Sequence, residues 1–471
     1  MSAVNILSES LLSRAADPGP HSNLDPSQVP HAQQAPPISA FVPVLTSSSP
    51  ASTPIDDLRA RVEAILDVFD DPRYAHLDIP DWVHRATSYG TVRHAFTVRS
   101  LIRAMRDAAA DLGLAESERY VLAAVCSCVE DANKAITHTA EYPEALARGL
   151  QRLANAWVAF LLWPFYAPMK DDENMATGFA SPCIGLAFTP KAMAAGEVNP
   201  DADSRVCASS YPLQEQILRR DGYRCVVSGV WDTRYWKSMR RRLRRTQGII
   251  PDGTHAWTDA VRIFKHPLVV YKDVYDNDEP KRDSTRLSLE LLRRYCQLSD
   301  RYIQDMGSGV MDDPENLITL SIMAHKKFDH FAFCLVPTQM PNTYRVKDHR
   351  PQVCGLPFPS MTVPDTITFR DHSGAVVDDD DDSGRPGLPV QVPNQELLRA
   401  HAALGSVLYA SGMAGIFDRI VYTMSFHRRD EVGDLPLPTP DGVSFWKEVV
   451  DSDRDVSVDR VVQPFAAMYI A

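Results

Sequence analysis

From Ile55 onward apolar residues return every three or four positions, at Ile55, Leu58, Val62, Ile65, Leu66 and Phe69. That spacing lays one stripe of a helix against a core. Thr53 and Pro54 just ahead of it read as an N-cap and a first-turn proline. The same periodicity predicts helices over 92–112, 115–139 and 143–163, the last with Leu146, Leu150, Leu153, Trp157 and Leu161 on one stripe. Residues 53–170 therefore read as a helical domain whose Met, Trp and Leu stripes, with His94 and His138, serve packing. Residues 1–52 hold eight Pro and eleven Ser with little periodicity. Such a composition buries too little surface to offset ordering entropy and reads as a disordered tail. Residues 171–208 read as a linker.

Past the linker the pattern changes. A helix over 212–220 stops at Asp221-Gly222, and Tyr223–Gly229 reads as a short strand and turn. A basic run follows from Arg234 to Arg245, then the apolar piece Val261–Phe264, a charged helix over 284–306, and Asn316–Leu320 leading into Ala324–His330. Phe333–Val336 and Tyr344–Val346 read as a hairpin that Thr366–Phe369 extends. Asn394 after Pro393 predicts a capped helix running to Ile420. The aspartates at 378–382 read as a solvated loop, and 426–471 as a C-terminal extension. The expected class is α+β: a helical domain, then residues 209–425 as a second domain with appended strands and a C-terminal helix.

Composition changes this picture in three places. The formal net charge is −12 over 471 residues, which repels a polyanion unless cations are gathered locally. They are: Arg234, Lys237, Arg240, Arg241, Arg242, Arg244 and Arg245 fall within twelve positions, interleaved with Tyr235 and Trp236. Such a run suits phosphate contacts with aromatics stacking on unpaired bases, Arg240, Arg241, Arg242, Arg244 and Arg245 being the nucleic-acid candidates. A solvated helix or a nuclear-import signal explains it equally. Eight cysteines without CxxC spacing point to reduced thiols rather than a zinc ribbon or a disulfide framework, with Cys225 a packed core thiol. The most apolar stretch, Leu153–Ala167, falls short of the ~20 residues of a bilayer span, and the N-terminus carries no signal-peptide pattern. The expectation is an intracellular protein of nucleus or cytoplasm, not bound to membrane; its oligomeric state is open.

Three motifs carry the chemistry: Arg-Arg-Asp-Gly-Tyr-Arg-Cys-Val-Val-Ser-Gly at 219–229, Asn-Leu-Ile-Thr-Leu at 316–320, and His325 with Phe328-Asp329. In order and spacing they resemble the fungal HNH (His-Asn-His) endonuclease-like proteins of the ββα-metal superfamily, over roughly residues 210–425. The resemblance implies a ββα-metal fold and hydrolysis of a nucleic-acid phosphodiester, DNA foremost, with one divalent ion, Mg²⁺, Mn²⁺ or Zn²⁺. A strand histidine would be general base, its pKa lying near working pH, while the metal offsets charge on the phosphate.

By that resemblance Asn316 orients the base and His325 is a metal ligand on the helix. Asp329, four residues on, shares the helical face of His325, and spacing alone makes it a second ligand. The plainer roles stay open: Asn316 capping the turn into its strand, Asp329 pairing with Lys326, His330 a bystander. The family's first histidine sits in an Ala-His-Ile sequence, and here Val261-Arg262-Ile263 stands in its place. A guanidinium stays protonated and accepts no proton from water. His266 nearby is the candidate substitute base, and His255 a more distant one. Two functions follow: an HNH-type endonuclease, degenerate to some degree, or a catalytically inactive nuclease-derived module that binds nucleic acid or protein. A scaffolding role for the helical domain is a third.

Overall fold

The computed structural model describes residues 53–87, 96–135, 141–166, 213–245, 253–264, 279–308, 313–350, 364–374 and 389–427. They lie in one compact unit, 41–471. The expectations for 1–52, for the linker, for His94, His138 and His266, for the 378–382 aspartates and for the last residues of the chain fall outside the described ones.

Helices make up most of the described residues, which also form three small sheets. The first helices are α1 (Ile55–Leu66), α2 (Asp81–Thr87), α3 (Val98–Asp111), α4 (Ala115–Ala135) and α5 (Tyr142–Trp157), which runs through a π turn at Val158–Leu162 into α6 (Trp163–Tyr166). Pro54, not Thr53, occupies the N-cap of α1 and offers no capping side chain. The helix ends at Leu66, so Phe69 reaches the core from a 3₁₀ turn. α3 begins later than the apolar pattern suggests because Thr97 and Ser100 close a reciprocal capping box there. Inside, the Trp157 indole donates to the Tyr120 hydroxyl at 3.0 Å. The Tyr295 hydroxyl donates to the Met105 carbonyl at 2.9 Å, tying α3 to a much later segment. These helices share one buried cluster with Leu291, Leu292, Leu397, Leu404 and Phe417.

The helix over 213–220 (α7) ends as its glycine foretells. The amide of Tyr223 bonds the Leu218 carbonyl, and that of Gly222, at φ +66°, bonds the Arg219 carbonyl. This is the paired pattern of a Schellman cap. Tyr223 is also left-handed, at φ +54°, and the predicted strand over 223–229 shrinks to a single bridge between Arg224 and Trp231 around a tight turn. Beyond lie β1 (Trp231–Asp232), α8 (Thr233–Arg245), β2 (His255–Ala256) and β3 (Thr258–Arg262). The predicted charged helix is two, α9 (Glu279–Cys296) and α10 (Asp300–Ser308), broken where Gln297 takes φ +53°.

A 3₁₀ turn at Pro314–Asn316 opens β4 (Leu317–Ser321), which passes directly into α11 (Ile322–Asp329). β3 and β4 are antiparallel, from Thr258 opposite Ser321 to Arg262 opposite Leu317. Ile217 of α7 packs with Ala260 and Leu317 in a small core of its own, while Val261, Ile318 and Leu320 join the main core with Ala324 and Phe328 of α11. The strand pair is thus covered by apolar side chains from both its faces. β5 (Phe333–Pro337), β6 (Thr343–Asp348) and β7 (Thr366–Thr368) form the expected meander. The single helix expected from Asn394 to Ile420 is two. α12 (Gln395–Ala410) is capped by Asn394 and α13 is Met413–His427, bent 89° from it at Gly412, whose φ is +79°. Continuous apolarity hid the break. Among the described residues no single helix is long and apolar enough to cross a membrane.

Candidate active site

The site is the junction of β3, β4 and α11. β4 sits at its back, and the edge of β4 away from β3 is not left open. Arg220, fully buried, forms a forked pair with Asp221, Nε to Oδ1 at 2.7 Å and Nη2 to Oδ2 at 2.9 Å. The same guanidinium donates to the carbonyls of Pro314, Gln391 and Leu317 at 2.7–2.9 Å. Asp221 Oδ2 accepts the Thr319 amide at 2.9 Å, and the Val226 amide donates to the Thr319 carbonyl at 3.0 Å. The Arg-Asp of the 219–229 motif therefore occupies backbone groups that a third strand would otherwise satisfy. In the sequence Asp221 reads as a helix stop and a member of the 219–229 motif, with nothing to indicate its bond to β4.

Asn316 is buried and does one structural task. Its Oδ1 accepts the Phe264 amide at 2.9 Å, its Nδ2 donates to the Phe264 carbonyl at 3.0 Å, and its own carbonyl accepts the Ile263 amide at 2.8 Å. The side chain fixes the path of the chain as it leaves β3, two residues beyond Arg262. It acts on that strand end through the backbone and does not merely cap its own turn.

Ser321 caps α11 by accepting the Ala324 amide at 3.4 Å. Phe328 then anchors the helix inward, stacked on His401 at 3.9 Å and tilted against Phe333 at 5.5 Å. With Ala324 and Phe328 facing the core, His325 and Asp329 share a more accessible face, His325 Nε2 lying 3.1 Å from Asp329 Oδ2. Asp329 also borders a small crevice among Phe165, Ile263, Phe264, Phe331 and His401. Asp259 on β3, opposite Leu320, was not singled out in the sequence. Burial raises its carboxyl pKa, an effect opposed by the charges of His325 and Arg234 and reinforced by Asp232. Its place in a five-residue strand between Thr258 and Ala260 gives no signal, because its charged neighbours come from β1, α8 and α11.

Arg262 ends β3 and is half-buried. His255 stands on β2 in edge contact with Trp236 at 6.0 Å, so its ring belongs to the α8 cluster. HNH endonucleases use a divalent ion, and the donors here can be compared with that need. His325 and Asp329 supply two donors 3.1 Å apart, and among the described residues no three His, Cys, Asp or Glu side chains are grouped to hold a metal. The described residues do not complete a metal centre.

The basic run forms α8. Asp232 caps it, accepting the amides of Arg234 and Tyr235 at 2.9 and 3.0 Å while taking the Thr258 hydroxyl at 3.0 Å, which joins the helix start to β3. Tyr235 lies flat on Tyr223 at 4.0 Å and on Trp231 at 5.8 Å, and Arg224 covers Trp231 at 3.6 Å. Trp236 is buried. The two aromatics expected to meet bases are thus occupied in anchoring α8. Arg240, Arg241, Arg244 and Arg245 are exposed on the helix, and Arg242 is half-buried.

Residues 225–336 match the family model described as HNH endonuclease. The match takes in about a quarter of the chain, from Cys225 through α8, β3, β4 and α11 to β5. No curated protein and no solved structure matches the chain. Within the HNH segment β3, β4 and α11 supply the ββα unit, Asn316 and His325 being placed by it as described. Five described cysteines, Cys126, Cys128, Cys225, Cys296 and Cys334, are free thiols.

Proposed function

We propose that the HNH segment engages nucleic acid through its phosphodiester backbone, as a nuclease-derived binding module whose hydrolytic centre is incomplete at Arg262. The observation that carries this reading is the residue at the end of β3. Asn316 there shapes the turn that would present a general base, and the side chain presented ahead of that turn is a guanidinium. Arginine binds phosphate well and takes no proton from water. The exposed arginines of α8 add sequence-independent phosphate contacts. The HNH match supports a nucleic-acid substrate, and we propose DNA as that substrate.

The His325–Asp329 pair favours a second reading, a metal-dependent nuclease whose base comes from elsewhere, His266 included. One assay separates them. Purified protein, His325→Ala and Arg262→His are incubated with supercoiled plasmid in Mg²⁺, Mn²⁺ or Zn²⁺, and retardation and nicking are scored together. Retardation without nicking by the unaltered protein, with nicking gained in Arg262→His, is the expected result. Nicking by the unaltered protein that His325→Ala abolishes would overturn the binding-module reading in favour of the nuclease.

A further inference from the structure

Trp257 stands apart from the other aromatics near α8. The residue is 52% exposed, whereas Trp236 is buried and Tyr235 is stacked on Tyr223 and Trp231. Its backbone is held firmly nonetheless. It lies between β2, paired with Trp231 and Asp232, and β3, paired with β4, and its carbonyl accepts the Ile322 amide at 3.1 Å. That bond brings it beside the start of α11, where Met323 is 46% exposed, two residues ahead of His325. Arg234 places its guanidinium 5.8 Å from the Trp257 ring centre, and the exposed arginines of α8 continue from there.

A single exposed tryptophan is ordinary on a protein surface. A tryptophan with fixed backbone, an apolar neighbour, a cation against its ring and a basic helix leading away is a stacking platform with an electrostatic track. A nucleobase has a π face to lay on the indole, and its phosphate has guanidinium groups within reach. In a paired duplex the base faces are already covered by their neighbours, so this contact requires an unpaired base. Resting on the nucleic-acid reading above, we infer that Trp257 stacks on an unpaired base, and that the HNH segment prefers single-stranded or locally opened nucleic acid to intact duplex. The fixed backbone means little ordering is left to be done on binding.

The test is fluorescence anisotropy with the full chain, a labelled oligothymidylate and a labelled duplex of the same length, at two salt concentrations. The variants are Trp257→Ala, Trp257→Phe, and a combined Arg240→Ala, Arg241→Ala, Arg244→Ala, Arg245→Ala form. One base stack corresponds to roughly a tenfold change in affinity. Trp257→Ala is expected to weaken the single strand by that factor and leave the duplex unchanged, with Trp257→Phe retaining most of the difference. Equal loss on both probes, or no loss on either, overturns the stacking role. If the arginine variant still loses binding in that case, the nucleic-acid reading survives without Trp257. If the unaltered protein binds neither probe, both fail.

Discussion

Removing the carboxylate of Asp221 strands a charge where no water reaches it. Arg220 is fully buried and Asp221 nearly so, and two charge-assisted bonds join them at 2.7 and 2.9 Å. Asp221→Ala leaves the guanidinium with its three carbonyl partners and, in place of a paired carboxylate, only the through-space charge of Asp371, and it also strips the Thr319 amide of its acceptor. Breaking a buried pair from one side costs about 3–5 kcal/mol. Replacing such a pair by two apolar residues is often close to neutral. Here it is not expected to be, because the pair also serves the carbonyls of Pro314, Gln391 and Leu317 and the amide of Thr319. Each buried backbone group left unserved costs about 1–3 kcal/mol. Urea unfolding of Asp221→Ala, Arg220→Met and the double variant Arg220→Met, Asp221→Leu, followed by tryptophan fluorescence, gives the comparison. Each single change is expected to cost at least about 3–5 kcal/mol, since each also leaves backbone groups unserved, and the double one to cost less than their sum yet remain clearly destabilising. A double variant as stable as the unaltered protein would refute the idea that the pair stands in for a strand on the edge of β4.

Two further outcomes follow from the same geometry. Asn316→Ala should destabilise by about 1–3 kcal/mol, because the amide and carbonyl of Phe264 lose their side-chain partner inside the protein; in urea unfolding, a cost near zero would mean that this turn is held without Asn316. His349, stacked on Tyr409 at 4.9 Å, has its pKa pushed down to about 4 by burial, with the charge of Lys347 adding to the effect. The folded state therefore holds its proton less tightly than the unfolded chain: the contribution is present above pH about 6.5, and is lost as pH falls from there toward 4, by at most about 3 kcal/mol. The fall in stability from pH 7 to 5 should be smaller in His349→Phe, which keeps the stack, and an equal fall would remove His349 as the cause.

What could be read in the sequence was local. The Asn316–Leu320 and His325-to-Asp329 spacings predicted a strand running into a helix with His and Asp on one face, and alternation predicted the β5, β6, β7 meander. What could not be read depends on residues far apart in the chain. Asp221 meets the Thr319 amide 98 positions away, Asn316 reaches back 52 to Phe264, and Asp259 feels charges from three other elements. Tyr235 and Trp236 were read as exposed because periodicity places residues on a helix face without telling what covers that face. Tyr223 and Trp231 cover it, and the exposed ring is Trp257.

The two strands of the ββα unit are neighbours in space, yet 54 residues, with α9 and α10 among them, separate Arg262 from Leu317. A tight hairpin closes over a few residues. Each doubling of a flexible loop adds about 0.6 kcal/mol of closure entropy, so nearly four doublings add about 2 kcal/mol to joining this pair. That entropy is offset only once the intervening helices have docked, Tyr295 of α9 onto α3 in particular. Contacts this distant in sequence form slowly. The HNH junction is therefore expected to assemble after α3 and α9 have met. A chain emerging from the ribosome would carry β3 without its partner while the next fifty or so residues are made.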